Sequence, residues 1–265
     1  MSQGPREVEA VLLVRAEDQE AAAGRVAGLE AVDRFLLRLR PRPPQRIRDT
    51  YLDTGDGGLA AAQVAFRVRE LDGRPLLTLK SAAVRTGLVA ERLELEGPWS
   101  AATLGTVLEE LRRRDVPLPQ VPEGAGAGEP LADLAGLGLL PTQVRETTRT
   151  PRDVLEQGDP DAGPVAELTI DDVVYQLPTG TARLVEVEVE AKGAGGLDTV
   201  QALLGAVAAA LPDDLRPWPH GKLATGIAVE RMLATGQLEG LLDAAGRIRP
   251  QAHDRIDEFL SRNNP

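Results

Sequence analysis

The chain of 265 residues has no cysteine, two histidines, two tryptophans, two tyrosines and three phenylalanines. Without cysteine there is no disulfide framework, no thiolate zinc site and no cysteine nucleophile. His220 and His253 are too few for a multi-histidine metal centre. A bound metal must then be held by carboxylates, which favours hard ions such as Mg²⁺ or Mn²⁺. No stretch approaches the roughly 20 apolar residues of a membrane helix. Residues 1–9 lack the apolar centre of a signal peptide. A cytoplasmic location and no membrane partner are therefore expected. Positive charge is also short: 30 basic against 41 acidic residues leave a formal net charge of −11. A non-specific nucleic-acid binder needs a basic surface to displace counterions, so no nucleic-acid partner is expected. Only Lys80, Lys192 and Lys222 are lysine; the other basic residues are arginine.

What is present points to a folded chain. Hydrophobic residues make up 42% and charge is mixed rather than blocked, which excludes a disordered or collagen-like polymer. The length suits one large domain, or one domain plus an appendage. Alternation predicts a strand over 6–14 and further strands over 46–53, 64–71, 75–81, 88–97, 143–150, 165–177 and 181–192. Asp72-Gly73 marks a hairpin between two of them. Alanine-rich spacing predicts a helix over 17–38. Ser100 can cap a helix over 101–114, and further helices are expected over 131–140, 198–211, 223–235, 238–246 and 250–262. The Pro- and Gly-rich stretch 117–130 reads as a loop. Short, locally joined strands predict an α+β fold with an antiparallel sheet or barrel and outer helices.

The informative feature is charge in the strands. Glu7-x-Glu9, Arg67-x-Arg69, Thr78-x-Lys80, Arg92-x-Glu94-x-Glu96 and Glu186-x-Glu188-x-Glu190 each repeat at every second residue, with apolar residues between. Glu167 and Asp171 keep the same phase around Thr169. An open sheet with one wet face would relieve three neighbouring glutamates with neutral polar residues. A closed barrel, apolar outside against helices and charged inside, accounts for the set better. Charges inside a barrel are costly unless they pair or bind ions. The fitting occupant is a polyanion gripped by Arg and Lys, with a divalent cation held by the glutamates. Attack of water on a terminal phosphorus then needs position and electrostatics but no protein nucleophile.

These motifs, with Tyr51-Leu-Asp53-Thr54, Phe66-Arg67-Val-Arg69 and Gly221-Lys222-Leu223, stand in the order of a CYTH domain. The chain resembles that family, the triphosphate tunnel metalloenzymes, over roughly residues 6–225. The family includes inorganic, thiamine and RNA triphosphatases and class IV adenylate cyclases. The resemblance implies a closed antiparallel eight-stranded β-barrel, the triphosphate tunnel, that binds a triphosphate with Mg²⁺ or Mn²⁺. It implies metal ligation by Glu7, Glu9, Glu188 and Glu190. It implies phosphate binding by Arg67, Arg69, Lys80, Arg92, Arg149 and Lys222, with Arg145 and Arg152 as neighbours that compete with Arg149 for that role. Glu7, Glu9, Arg67, Lys80 and Glu186 are the expected catalytic set, and Glu167, Asp171 and Glu186 would position basic groups or a water.

Two departures bear on activity. The family opens on Glu-x-Glu-x-Lys, and Val11 stands where the lysine belongs. Arg15 lies about 13 Å further along a strand at roughly 3.3 Å per residue, too far to replace it. Gly221-Lys222-Leu223 replaces Ser-Lys-Tyr and keeps only the charge. The expected organisation is a tunnel domain over 1–225 and a C-terminal helical extension over 226–265. That tail is expected to dock on the body, to form a homodimer or to lead into a helical partner. The expected function is hydrolysis of inorganic tripolyphosphate or a related organic triphosphate. The alternative is a polyphosphate- or nucleotide-binding module that does not hydrolyse, with nucleotide cyclisation ranked last. His220 and Lys192 read as exposed, Asp53 as a turn group, Arg112 to Arg114 as a solvated helix end, and Trp99 and Trp218 as packing residues.

Overall fold

The computed structural model describes residues 5–32, 35–158 and 163–263. Among these, twelve strands and seven helices follow one another as β1 (Arg6–Val14), α1 (Gln19–Ala27), β2 (Ala31–Val32), β3 (Leu37–Pro41), β4 (Gln45–Thr54), α2 (Gly58–Ala61), β5 (Ala65–Leu71), β6 (Arg74–Lys80), β7 (Val84–Thr86), β8 (Val89–Pro98), α3 (Ala101–Arg113), α4 (Pro130–Gly136), β9 (Leu139–Glu156), β10 (Ala166–Leu177), β11 (Gly180–Ala191), α5 (Leu197–Ala210), β12 (Leu215–Pro217), α6 (Lys222–Ala234) and α7 (Pro250–Asn263). The hydrogen-bonded order β10-β11-β1-β8-β6-β5-β4-β9 returns to β10 through a β9–β10 pairing. This ring is the expected closed eight-stranded antiparallel β-barrel; β2, β3, β7 and β12 pair outside it. Closure leaves no unpaired ring edge for another chain to extend.

Local chemistry sets the turns. Asp72 and Gly73 join β5 to β6 with φ of 49° and 79°. Both lie in the left-handed region that a two-residue type I′ hairpin requires. The Ser100 hydroxyl accepts from the Thr103 N–H at 3.1 Å and starts α3, as expected. Three expected helices differ, the one over 131–140 because α4 ends at Gly136 and Leu139 already opens β9. The Ala-rich run 17–38 gives only α1, capped by Asp18, and the chain then enters β2 and β3; residues 33–34 lie outside the described residues. Residues 238–246 form turns, because Gly236, Gly240 and Gly246 take φ of 72°, 72° and 76°, and a helix tolerates none of these.

The chain divides into two compact units. The first comprises residues 1–6, 46–84 and 92–146. Its core sets Leu52, Phe66, Val68, Leu77 and Leu79 of the sheet against Leu104, Val107, Leu108 and Leu111 of α3. The second comprises residues 7–45, 85–91 and 147–265 and has two cores. In one, Ala10, Leu12, Leu168, Ile170, Val187 and Val189 meet α1 and α5 through Ala22, Val26, Leu203 and Val207. In the other, Leu13, Val173, Tyr175 and Leu184 meet Trp218, Val229 and Met232 around α6 and Ile256 of α7. Burying either set of side chains stabilises the fold by about 1.5–3 kcal/mol per residue.

The second core changes the expected division into a greasy outside and an ionic inside. Leu13 shares a face of β1 with Glu7 and Glu9. Val173 and Tyr175 share one with Asp171, and Leu184 with Glu186, because alternate residues of a strand point the same way. So the face that carries the charges turns apolar at one end of β1, β10 and β11, and α6 and α7 cover that end.

Candidate active site: two sets of buried charge

In the first unit the centre is an aspartate. Asp49 of β4 is fully buried and stands opposite Arg69 in register. Its carboxylate accepts from Arg69 Nε at 2.8 Å and Nη2 at 3.2 Å, and from Arg145 Nη2 at 2.6 Å and Nε at 3.0 Å. Arg67 Nη1 lies 3.5 Å away and also meets the Tyr51 hydroxyl at 3.2 Å. Burial alone would raise the Asp49 pKa. The guanidiniums of Arg67, Arg145 and Arg69 outweigh it and hold the carboxyl well below its usual range. The Arg145 guanidinium also stacks 4.9 Å over the Tyr51 ring, a cation–π contact. Further along the same sheet, Lys80 pairs with Glu94 at 3.1 Å and Glu96 accepts from Thr78 at 2.8 Å. Burial opposes ionisation of Glu96, but Arg69 and Arg67 lower its pKa. Arg92 is half-buried on β8, in phase with Glu94 and Glu96. The predicted Arg67, Arg69 and Lys80 are therefore gathered on one polar face.

In the second unit the strand register arranges carboxylates in rows. Glu9, Glu190 and Glu167 are direct neighbours across β1, β11 and β10. Val11, Glu188 and Thr169 form the next row, and Leu13, Glu186 and Asp171 the third. Like charges directly opposite destabilise a sheet, so cations must offset them. Lys222, the first residue of α6, does so from outside the rows. Its Nζ lies 2.5 Å from Glu188, 3.1 Å from Glu186 and 3.2 Å from Asp171. Burial would lower its pKa, yet Glu188, Glu186 and Asp171 raise it well above the usual value. Arg149 makes a two-point contact with Asp171, Nε at 2.9 Å and Nη2 at 2.7 Å. Burial raises and Arg149 with Lys222 lowers the Asp171 pKa, with a net fall. Glu186 goes the other way: burial raises its pKa and Lys222 only partly opposes this. Arg42 reaches Glu167 at 2.5 Å and Asp153 at 3.4 Å.

Glu7, Glu9 and Glu188 are buried, and one carboxylate oxygen of each lies within 4.8 Å of the other two. This group could hold a metal ion. Oxygen donors alone suit a hard divalent cation. The electrostatics agree: burial, then repulsion from Glu188 and Glu7, raises the Glu190 pKa even though Lys192 is bonded to it. A local excess of anion is what a bound cation would relieve.

Of the three neighbouring arginines, Arg149 meets Asp171, Arg145 serves Asp49 and Arg152 donates to the Leu39 carbonyl at 3.1 Å. Asp53 is a turn group that accepts from the Leu59 and Ala60 N–H groups. Arg113 and Arg114 pair with Glu109 and Glu110 along α3. Trp218 packs in the α6 core and Trp99 donates to the Gly128 carbonyl at 3.0 Å. His220 is not the exposed loop residue expected: its side chain is only 8% exposed and meets Asp257 at 2.7 Å. Asp49 was missed, and with it the grouping of Tyr51 and Arg145 around that carboxylate. The signal was there in the Asp49-x-Tyr51-x-Asp53 alternation, which places a carboxylate and a phenol on one face.

The CYTH domain profile matches residues 7–204. The chain belongs to the CYTH domain family. No curated protein matches this CYTH chain. Among solved structures it is similar to a candidate adenylate cyclase of Bacillus halodurans, at 15% identity and a TM-score of 0.49, covering 82% of this chain and 96% of that one. It is similar to HpAC1 of Hippeastrum, a candidate adenylyl cyclase with a dominant triphosphatase activity, at 18% identity and a TM-score of 0.49, covering 84% and 96%. It is also similar to the Mimivirus capping enzyme triphosphatase, at 10% identity and a TM-score of 0.40, covering 80% and 92%.

Proposed function

We propose that this CYTH domain is a metal-dependent hydrolase of a small triphosphate, with inorganic tripolyphosphate as the first substrate. The observation that carries the reading is the buried trio Glu7, Glu9 and Glu188 in the same unit as Lys222 and Arg149. Glu7, Glu9 and Glu188, with Glu190 in the neighbouring row, would hold Mg²⁺ or Mn²⁺, which supplies Lewis-acid polarisation of a phosphoryl oxygen when bound. Lys222 and Arg149 offset phosphate charge, Arg149 through a planar fork that suits two oxygens at once. Glu186 and Asp171 hold Lys222, so its ammonium is placed before substrate arrives and costs little reorganisation during reaction. Arg67, Arg69, Lys80 and Arg92 are assigned as further phosphate ligands, as the family resemblance implies. Asp49 fixes the first two. Of these residues, Glu7, Glu9, Arg67, Lys80 and Glu186 are assigned to the hydrolytic step.

The test is phosphate release from tripolyphosphate, ATP and thiamine triphosphate with Mg²⁺ or Mn²⁺. Turnover of at least one, abolished by Glu9→Gln, is expected. Turnover no greater than that of Glu9→Gln would reject the hydrolase.

Val11 favours a second reading, a module that captures triphosphate or polyphosphate without hydrolysing it. The missing lysine would stand directly opposite Glu188 in register. Lys222 already brings one ammonium to that carboxylate, so binding charge is retained while one cation of the family pattern is absent. Calorimetric affinity for tripolyphosphate without turnover, together with a gain of turnover in Val11→Lys, is the outcome for this reading. No affinity at all removes it.

A further inference from the structure

The ammonium of Lys222 touches three carboxylates, but its long flexible stem does not fix where it points. Its backbone origin must. Lys222 opens α6, and the chain just before it has no regular structure after β12. Two sets of contacts hold this junction. From β10 the Tyr175 hydroxyl donates to the Lys222 carbonyl at 3.1 Å, and within the junction Trp218 Nε1 donates to Thr225 Oγ1 at 3.1 Å. The other set comes from α7. One Asp257 oxygen accepts from Arg216 Nη2 at 2.6 Å, and the other meets His220 Nε2 at 2.7 Å. Asp254, one turn earlier on α7, pairs with Arg216 as well. The His220 ring stands edge-on to Trp218, with centroids 4.9 Å apart and planes at 78°. One carboxylate thus grips both ends of the 216–220 segment, two residues before the lysine.

We propose that Asp257 is a positioning residue, which clamps Arg216 and His220 and so sets the reach of the Lys222 ammonium to Asp171, Glu186 and Glu188. The last helix, beyond the residues matched by the family profile, then belongs functionally to the site. An ordinary half-exposed ion pair would stabilise α7 and do nothing else. Here both oxygens are used, by two residues of one short segment that ends at the site. The consequence for turnover rests on the hydrolase reading; the placement of the ammonium does not.

Three lysines make the test direct. Selective ¹⁵N-lysine labelling gives at most one ammonium resonance each for Lys80, Lys192 and Lys222, and Lys222→Arg assigns the last. In Asp257→Ala the Lys222 resonance should move or broaden while the others stay in place. The same change should not follow Glu258→Ala, which breaks an exposed pair with Arg262 on the same helix. With tripolyphosphate, Asp257→Ala should lower kcat/KM by about tenfold, the scale of one lost hydrogen bond to a charged group. Asp257→Ala combined with Lys222→Met should be no slower than Lys222→Met alone. If Asp257→Ala does not fold, His220→Ala removes half of the clamp and is held to the same criteria. An unmoved Lys222 resonance in a folded variant, no protected Lys222 signal in the wild type, or a double variant slowed by the full product of the single effects would overturn the proposal. Absence of wild-type turnover would instead reject the hydrolase and leave the resonance test standing.

Discussion

Replacing Asp49 by Asn asks how much of the first unit depends on one buried charge. Asn keeps the size and one acceptor oxygen, but it removes the anion shared by Arg67, Arg69 and Arg145. Asp49 is fully buried, and the side chains of Arg145 and Arg67 are 1% and 6% exposed. Water therefore cannot take over the lost interaction. Removing one partner of a buried ion pair costs about 3–5 kcal/mol. The retained amide oxygen reduces this to roughly 3 kcal/mol, or a fall in Tm of about 6 °C for a chain of this size. Urea unfolding followed by circular dichroism measures it. The acid limb carries a second signature. The folded Asp49 pKa lies below its unfolded value, so on acidification the unfolded chain takes up the proton first. The stability this pair contributes is full above about pH 4 and is lost as pH falls through the folded pKa. Asp49→Asn should lose that part of the acid slope. Arg145→Met should be costly in the wild type and much less costly in Asp49→Asn, since the anion it served is gone. A loss below about 1 kcal/mol in Asp49→Asn, or strict additivity with Arg145→Met, would refute the assignment of Asp49 as the shared anion.

Other outcomes follow from the second unit. His253 is fully buried, and burial first, then Arg216, pushes its pKa down to about 4. The unfolded chain binds its proton near pH 6.5, so stability should fall by about 3 kcal/mol between pH 6.5 and 4 and level off below; urea midpoints across that window should flatten in His253→Gln. Mg²⁺ or Mn²⁺ at about 100 times its Kd should raise stability by about 2.7 kcal/mol, and a chelator or Glu9→Gln should erase the gain in a thermal melt. Leu203→Ala cuts a fully buried side chain of α5 and should cost about 2–5 kcal/mol by urea titration, with tripolyphosphate affinity by calorimetry unchanged.

Much of this architecture could be read from alternation. Charged residues at every second position marked one face of β1, β5, β8 and β11, and the apolar residues between them marked the helix-covered face. Asp72-Gly73 and Ser100 were legible because each does one local job that few residues can do. Alanine-rich composition misled in the helix predicted over 17–38, because Ala and Gly carry little facial information and the chain turns after Gly28. Glycines in the left-handed region at 236, 240 and 246 break the tail where periodicity alone suggested a helix. Asp49 was hidden for a different reason. A single aspartate in a strand reads as a polar outlier until the register places it opposite Arg69, and Arg145 reaches it from β9, 96 residues away in sequence. Leu13, Val173 and Leu184 are the same kind of case. Alternation sets each on the charged face, and only packing around α6 and α7 shows that the charge ends there.

The most direct measurement is the anomalous scattering of Mn²⁺ in crystals of the protein soaked with tripolyphosphate. The account predicts a peak coordinated by Glu7, Glu9 and Glu188, with phosphate oxygens on Lys222 and Arg149. A peak held by other residues, or phosphate density lying away from Lys222, would contradict it.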